Sequence, residues 1–147
     1  MVNGVTVVYK VLPGRNAKIP QRGTDGSAYY DVYTDETYEM DIGEVHLYGT
    51  GLVMYVNEDY FIDIRPRSGL SSKGICVANA PGTVDSDYRD ELKIIMMNHS
   101  NKRYTIKAGD RIAQMSVMPV QLLRFRETIV GKAYNTKKHE GWGSTGR

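Results

Sequence analysis

The chain has 147 residues, a charged fraction of 24% and a formal net charge of +2 at pH 7. This length suits one domain, and so small a net charge gives no reason to expect a nucleic-acid partner. The sequence contains no run of about 18 apolar residues and no signal-peptide pattern. The single cysteine, Cys76, fits a reducing compartment. We therefore expect a soluble protein of the cytoplasm or nucleus that is neither secreted nor membrane-bound.

Short β-prone runs, separated by turns rich in glycine, asparagine and aspartate, follow one another along the chain. The runs lie at 5–11, 46–56, 60–64, 74–78, 92–97, 104–106, 111–115 and 122–130. A polar helical turn is expected within 65–74, and no segment of helical length has a 3.6-residue period. The pattern predicts an all-β sandwich or jelly roll. From residue 131 the pattern of β-prone runs ends, and a polar, glycine-rich arm follows that contains the sole tryptophan, Trp142.

The runs at 74–78 and 92–97 flank an aspartate- and serine-rich connection, a pattern typical of a hairpin. Pro81 and Gly82 lie where the first arm should pair, although proline lacks a ladder donor and glycine lets a ligand or another backbone approach closely. We therefore expect a hairpin that is open on one side. The simplest interpretation of its tip is an acidic surface turn. The tip carries three acids and a tyrosine: Asp85, Asp87, Asp90 and Tyr88.

Five segments together resemble the five ordered motifs of the trimeric dUTP pyrophosphatase (dUTPase) family. The tip of the hairpin, G-T-V-D-S-D-Y-R at 82–89, resembles the third motif. Residues 26–34 resemble the first, P-R-S-G-L at 66–70 the second, G-D-R-I-A-Q at 109–114 the fourth, and 137–146 the fifth. One such match is weak evidence, but five in the family's order cover nearly the whole chain.

The resemblance implies a distorted jelly roll, the dUTPase-like β-clip or barrel, over residues 1–130, and a flexible C-terminal arm over 131–147 that closes over the active site. It also implies a homotrimer whose active sites are shared between chains. The reaction implied is hydrolysis of dUTP to dUMP and pyrophosphate, which keeps uracil out of DNA and supplies dUMP. Direct nucleic-acid binding is not expected.

The resemblance also assigns roles to individual residues. Asp85 is the implied general base, which takes a proton from the water that attacks the α-phosphorus. Uracil and deoxyribose are assigned to Asn79, Gly82, Thr83, Val84, Tyr88, Lys93 and Trp142. The phosphates are assigned to Arg67, Ser68, Gly69, Gln114, Lys137, Gly143, Ser144 and Thr145. The implied cofactor is Mg²⁺, which is held mainly by the triphosphate and reached by Asp31 through water.

Four of these assignments also have a physical rationale. Backbone amides at a short turn after a strand, with Arg67 beside them, suit a phosphate group. In an alternating strand Gln114 should share a face with Ile112, where it either satisfies a buried backbone group or reaches a ligand. Asp31 either contacts the metal's water shell or forms a salt bridge at the end of a strand. Stacking of Trp142 on uracil would contribute on the order of 1–3 kcal/mol.

Several positions depart from the family pattern. The family usually has glycine where this chain has Tyr29 and Asp90, and Pro81 is not its commonest residue before Gly82. In the arm, Lys137 replaces an arginine that can grip phosphate with two parallel donors, and Lys138, His139 and Glu140 replace a G-x-G sequence. Two alternatives therefore remain: a dCTP deaminase-like enzyme of the same superfamily, and a catalytically silent β-trimer that binds nucleotide.

Overall fold

The computed structural model of the protein describes residues 4–127, and this part contains eleven strands and one helical turn. The elements are β1 (Val8–Val11), β2 (Gln21–Arg22), β3 (Tyr30–Tyr33), β4 (Tyr38–Met40), β5 (Val45–Tyr55), β6 (Tyr60–Arg65), α1 (Ser68–Ser71), β7 (Ile75–Val77), β8 (Gly82–Val84), β9 (Glu91–Asn98), β10 (Tyr104–Ile106) and β11 (Arg111–Pro119). The all-β prediction and the helical turn after β6 are confirmed. Within residues 4–127, no helix has the length and hydrophobicity needed to cross a membrane.

The strands form two large antiparallel sheets and one small one. The first sheet has the order β1-β5-β9-β7, and the second has the order β2-β3-β11-β6-β8. Strands β10 and β4 form the two-stranded sheet. Neighbours in the large sheets are mostly distant in sequence, as in the pairing of β11 with both β3 and β6. Long-range pairing of this kind brings segments from across the chain to a common site.

Apolar residues from both large sheets form the core. Tyr48 of β5 lies opposite Ile94 of β9, and both side chains are buried. From the second sheet, Val32, Ile62 and Ile112 are also buried. Each fully buried side chain of this size stabilises the fold by about 1.5–3 kcal/mol. The core therefore fixes the two sheets on which the polar residues discussed below are carried.

The predicted open hairpin is confirmed, but its first arm is divided between two sheets. Strand β7 pairs with β9, as expected, with Val77 opposite Met96. The chain then leaves this sheet, passes the cis peptide bond before Pro81, and enters the second sheet as β8, where Gly82 lies opposite Ile64 of β6. Pro81 is thus outside the first arm, because it occupies the crossover, where no ladder hydrogen bond is needed.

The last predicted strand, at 122–130, is wrong over its described part. Residues 122–127 carry no strand, and Leu122 and Phe125 are 92% and 93% exposed. Among the described residues no strand runs beside them, and β propensity forms a strand only where a partner ladder and a packing surface exist. Strand β11 ends at Pro119, beyond the predicted boundary at residue 115.

Candidate active site

A cavity of about 780 Å³ lies at the open side of the hairpin. Its volume falls in the range of small-molecule sites. The residues predicted for the base and sugar line it together with the predicted general base: Asn79, Gly82, Thr83, Val84, Asp85, Tyr88 and Lys93. Trp142, also predicted for the base, lies outside the described residues. We refer to this space as the hairpin cavity.

Close packing at Gly82 shapes one wall of the hairpin cavity. A Cβ atom at this position would lie 3.3 Å from Cβ of Ile64 and 3.4 Å from Nδ2 of Asn79. The distance to Ile64 is tighter than ordinary van der Waals contact and the distance to Asn79 is at its lower limit, so a side chain here would require a small shift of the wall. The absence of a side chain lets Asn79 lie against the backbone of β8, which is the close approach expected for this glycine.

The loop that carries Asp85 is fixed by hydrogen bonds to its backbone carbonyls. The amide of Tyr88 donates to the carbonyl of Asp85 at 3.1 Å, and the Tyr88 hydroxyl donates to the carbonyl of Glu91 at 2.9 Å. Arg89 donates from Nη1 to the carbonyl of Ser86 at 2.6 Å. Asp85 itself is exposed, and among the described residues no hydrogen bond or ion pair occupies its carboxylate. The loop is thus held while the carboxylate remains accessible.

Burial, together with the nearby carboxylates of Asp90 and Glu91, raises the pKa of the Tyr88 hydroxyl above its ordinary value. The hydroxyl therefore remains a donor at neutral pH. Asp90, which replaces the usual glycine, accepts a hydrogen bond from the amide of Glu91 through Oδ1 at 2.7 Å. This departure therefore adds a local contact at the start of β9.

The residues predicted for phosphate lie around a second cavity of about 390 Å³, which we call the polar cavity. It is lined by the described members of that set and by the predicted metal-shell residue: Arg67, Ser68, Gly69, Gln114 and Asp31. Tyr29 and Arg111 also line it. The other predicted phosphate residues, Lys137, Gly143, Ser144 and Thr145, lie outside the described part of the chain.

Asp31 organises the cations of the polar cavity. Its Oδ1 accepts a hydrogen bond from Nε of Arg67 at 2.8 Å, and its Oδ2 lies 3.3 Å from Nη1 of Arg111. Arg67 also donates from Nη1 to the carbonyl of Arg111 at 3.2 Å. The salt-bridge interpretation of Asp31 is therefore confirmed, and the structure adds Arg111 to the cavity. The sequence predicted no role at a site for Arg111.

Helical turn α1 begins directly after Arg67. The amides of Leu70 and Ser71 donate to the carbonyl of Arg67 at 3.1 Å and 3.0 Å, which closes the turn. The amides of Ser68 and Gly69 come first in it, at positions whose donors have no acceptor within a helix. Both residues are exposed at the polar cavity.

Gln114 satisfies a backbone group but does not share the face of Ile112. The ladder between β3 and β11 shifts register between Arg111 and Ala113, and both Ile112 and Ala113 are buried. The simple alternation predicted for this strand is wrong because the irregularity inserts one residue. Gln114 is partly exposed and donates from Nε2 to the carbonyl of Pro66 at 2.8 Å. One amide hydrogen of that nitrogen remains for another acceptor.

Comparison with known proteins identifies the family. Residues 15–146 match the family model described as dUTPase. The deoxyuridine 5'-triphosphate nucleotidohydrolase of Nautilia profundicola is 42% identical over 135 residues, which cover 90% of this chain and 94% of that protein. The corresponding protein of Fusobacterium nucleatum is 41% identical over 145 residues, which cover 96% and 98% of the two chains.

The chain belongs to the dUTPase family. This finding confirms the predicted family and its enzyme class, a dUTP diphosphatase.

Solved dUTPases have the same fold. The dUTPase of Staphylococcus bacteriophage 80alpha with dUPNHPP has a TM-score of 0.84 at 24% identity, covering 97% of this chain and 99% of that one. A mutant dUTPase from phage phi11 of S. aureus, described as coordinating a structural Mg(II) ion, has a TM-score of 0.76 at 22% identity, covering 89% and 99%. At these identities the similarity supports the jelly-roll fold alone.

The residues of the polar cavity suit a metal held by the substrate better than one held by the protein. Within residues 4–127, no group of three or more His, Cys, Asp or Glu side chains is arranged to hold a metal ion. Both oxygens of Asp31 already face arginines, but a carboxylate has about four acceptor positions. An Mg²⁺ ion that keeps its waters and binds phosphate oxygens is therefore compatible with Asp31 as a water-mediated partner.

The hairpin cavity and the polar cavity have no lining residue in common. Within residues 4–127 of one chain, therefore, the predicted general base and the described phosphate residues do not line a common cavity. The sequence located both groups of residues, and only the family resemblance implied that active sites are shared between chains.

A buried ionic network beside the hairpin cavity was not predicted. Glu91 is 8% exposed, and its Oε1 accepts from the amide of Gly51 at 2.9 Å and pairs with Nη2 of Arg15 at 2.9 Å. Arg15 also donates from Nε to Asp35 at 2.6 Å, and this hydrogen bond raises the pKa of Arg15 above its ordinary value. No signal in the sequence links these residues, because they lie far apart along the chain.

Proposed function

We propose that this dUTPase-family chain hydrolyses dUTP to dUMP and pyrophosphate with Asp85 as the general base. The observation that carries the assignment is the accessible carboxylate of Asp85 on a backbone-fixed loop at the hairpin cavity. A base placed in this way can take a proton from a water molecule that attacks the α-phosphorus. General-base catalysis of this kind contributes about 10²–10⁴-fold to the rate.

Uracil fits the hairpin cavity through its hydrogen-bonding pattern. We assign its recognition to backbone groups near Gly82 and Thr83 and to the Lys93 segment, with Asn79 beside them. Cytosine presents the opposite donor and acceptor at its 4-position, which would leave cavity groups unpaired, a strong form of discrimination. Tyr88 would lie against the deoxyribose and leave no room for a 2′-hydroxyl group.

The triphosphate is assigned to the polar cavity of a neighbouring chain. Arg67 supplies a charge-assisted donor, Ser68 and Gly69 supply exposed backbone amides, and Gln114 supplies an amide hydrogen. Mg²⁺, when bound to the phosphates, would neutralise their charge, with Asp31 one water molecule away. Arg111 is an additional candidate because Asp31 holds it at the same cavity.

We further propose a homotrimer in which the two cavities of different chains form one active site. The separation of the two cavities within a chain supports this arrangement. Exposed apolar side chains offer surface for subunit contacts, among them Leu47, Val45, Leu123 and Phe125.

The all-β domain would end at residue 130, and the arm at 131–147 would bring Trp142 to the uracil. We expect the trimer to be intracellular and soluble.

A substrate panel tests the proposed activity. Pyrophosphate release is measured with dUTP, dCTP, dTTP and UTP at equal concentration and with Mg²⁺ present. Turnover of dUTP at least about 100-fold faster than of the others is expected, because each competitor leaves polar groups unpaired or clashes with the cavity. Ammonia release from dCTP would instead favour the deaminase, and no turnover of any nucleotide would favour a silent binding protein.

Mixed trimers test the shared site. One variant carries Asp85→Asn with a complete arm, and the other keeps Asp85 but is truncated after Val130. A trimer of the first variant lacks the general base at every site, and a trimer of the second lacks the arm at every site. After the two are refolded together in equal amounts, about one quarter of sites regain both components if base and arm come from different chains. Activity at background after verified mixing would contradict the shared site.

A further inference from the structure

Tyr29, Asp63 and Arg65 form a closed cluster at the wall of the polar cavity, which we call the Tyr29 cluster. The Tyr29 hydroxyl donates to Oδ2 of Asp63 at 2.8 Å, and Nε of Arg65 donates to the same oxygen at 2.7 Å. The guanidinium of Arg65 lies over the ring of Tyr29, 5.4 Å from its centroid. The Asp63 side chain is only 7% exposed, so these contacts satisfy a buried charge.

The Tyr29 cluster spans a strand of the second sheet. Strand β11 lies between β3 and β6, with Ser116 opposite Asp63 and Met115 opposite Tyr30. Extending this register by one residue places Tyr29 on the other side of Ser116. Two strand spacings amount to about 9.5 Å, which a tyrosine and an aspartate can bridge over a small serine. The glycine that the family usually has at position 29 cannot make this bridge.

The cluster includes the end of β6, directly before the turn that carries the proposed phosphate contacts. Three successive residues lead into α1, and each is held by a different side chain: Arg65 by Asp63, Pro66 by Gln114 and Arg67 by Asp31. The first of these attachments depends on Asp63, which Tyr29 holds from across the sheet. Burial and the hydrogen bond to Asp63 raise the pKa of Tyr29 above its ordinary value, so its hydroxyl remains a donor at neutral pH.

We propose that Tyr29 is a positioning residue for triphosphate binding, which acts through Asp63 and Arg65 on the turn that presents Arg67 and Ser68. The inference rests on the proposed phosphate role of that turn. Tyr29 itself need not touch the substrate. Because the same contacts to phosphate exist before and during the reaction, its loss should weaken substrate binding more than it slows turnover.

Tyr29→Phe tests the proposal because it removes only the hydroxyl and retains the ring over Arg65. The loss of one hydrogen bond to a charged group corresponds to about a tenfold change in an equilibrium constant. We expect KM for dUTP to rise about three- to tenfold, with kcat within about twofold of the parent. The inhibition constant of dUMP, which lacks the two outer phosphates, should stay within about twofold. Tyr9→Phe is the matched control, since it removes the hydroxyl of an exposed tyrosine on the other large sheet.

A double-mutant cycle assigns the effect to Asp63. Asp63→Asn should also raise KM, and addition of Tyr29→Phe to it should have little further effect, because the two residues act through one contact. A lower thermal unfolding midpoint for Tyr29→Phe with KM unchanged would mean a purely structural contact and would overturn the proposal. Equal weakening of dUTP and dUMP would also overturn it.

Arg67→Lys separates this inference from the proposed function on which it rests. If Arg67→Lys raises KM and Tyr29→Phe does not, the positioning role fails and the phosphate assignment stands. If neither variant changes KM while both remain folded, the phosphate assignment itself fails.

Discussion

Asp31→Asn is the most informative single substitution at the polar cavity, because one carboxylate there holds two arginines. The Asp31 side chain is 14% exposed and the Arg67 side chain is 24% exposed, so solvent screens their pairing only in part. Asparagine could still accept one hydrogen bond from Arg67 but would carry no charge. A hydrogen bond to a charged group contributes about 1.5–3 kcal/mol, of which we expect about 1–2 kcal/mol to be lost.

The contact between Asp31 and Arg111 contributes less to the free energy of unfolding. That arginine is 52% exposed and its Nη1 lies 3.3 Å from Asp31, so its pairing is worth less than about 1 kcal/mol. A total loss of about 2 kcal/mol should lower the thermal unfolding midpoint by about 4–8 °C for a chain of this size. With Arg67 no longer held at the cavity, KM for dUTP should rise about three- to tenfold.

Calorimetry and steady-state kinetics at several Mg²⁺ concentrations measure both effects. The matched control is Asp59→Asn, at an exposed aspartate in the turn before β6. Because the arginines lose their partner at any metal concentration, saturating Mg²⁺ should not restore KM. Full restoration by Mg²⁺, with an unchanged unfolding midpoint, would refute the account in which Asp31 acts through the arginines.

Three other substitutions test separate parts of the account. Lys137→Arg should lower KM or raise kcat in steady-state assays, because arginine supplies two parallel donors to phosphate; flat or lower activity would place that contact elsewhere in the arm. Gly82→Ala should raise KM for dUTP about tenfold while the chain stays folded by circular dichroism, since the new Cβ would lie 3.3 Å from Cβ of Ile64 and would shift the cavity wall beside Asn79. An unchanged KM would exclude that wall as a uracil contact. Arg15→Met should lower the free energy of unfolding in urea by about 3–5 kcal/mol, because the buried carboxylates of Asp35 and Glu91 both lose the guanidinium that pairs with them. A loss under about 1 kcal/mol would contradict the network.

The sequence predicted those parts of the structure that depend on local pattern. Alternating β-prone runs and turn residues identified most strands, and Pro81 and Gly82 correctly indicated that the hairpin would be open. Motif resemblance then placed Asp85 and Arg67 at cavities. Each of these features is encoded by residues that lie close together in the sequence, so it can be recognised before the fold is known.

The features that the sequence did not predict depend on contacts between distant segments. The register irregularity beside Ile112 redirects Gln114, and only the paired strands reveal it. The contacts of Tyr29 with Asp63 and of Arg111 with Asp31 likewise depend on strand β11 lying between β3 and β6. The β-prone run from residue 122 shows that local propensity alone is not sufficient. It forms no strand over residues 122–127, because no described strand pairs with it.

The turnover number of Asp85→Asn is the decisive test of Asp85 as the general base, with Asp87→Asn as the matched control at the same loop. Asparagine keeps the size of the side chain but cannot accept the proton, so kcat for dUTP should fall by about 10²–10⁴-fold. Binding of a non-hydrolysable dUTP analogue should stay within about threefold, because Asp85 is assigned to the water and not to the nucleotide. Turnover of Asp85→Asn within threefold of the parent, or an equal loss in Asp87→Asn, would contradict the assignment of Asp85 as the general base.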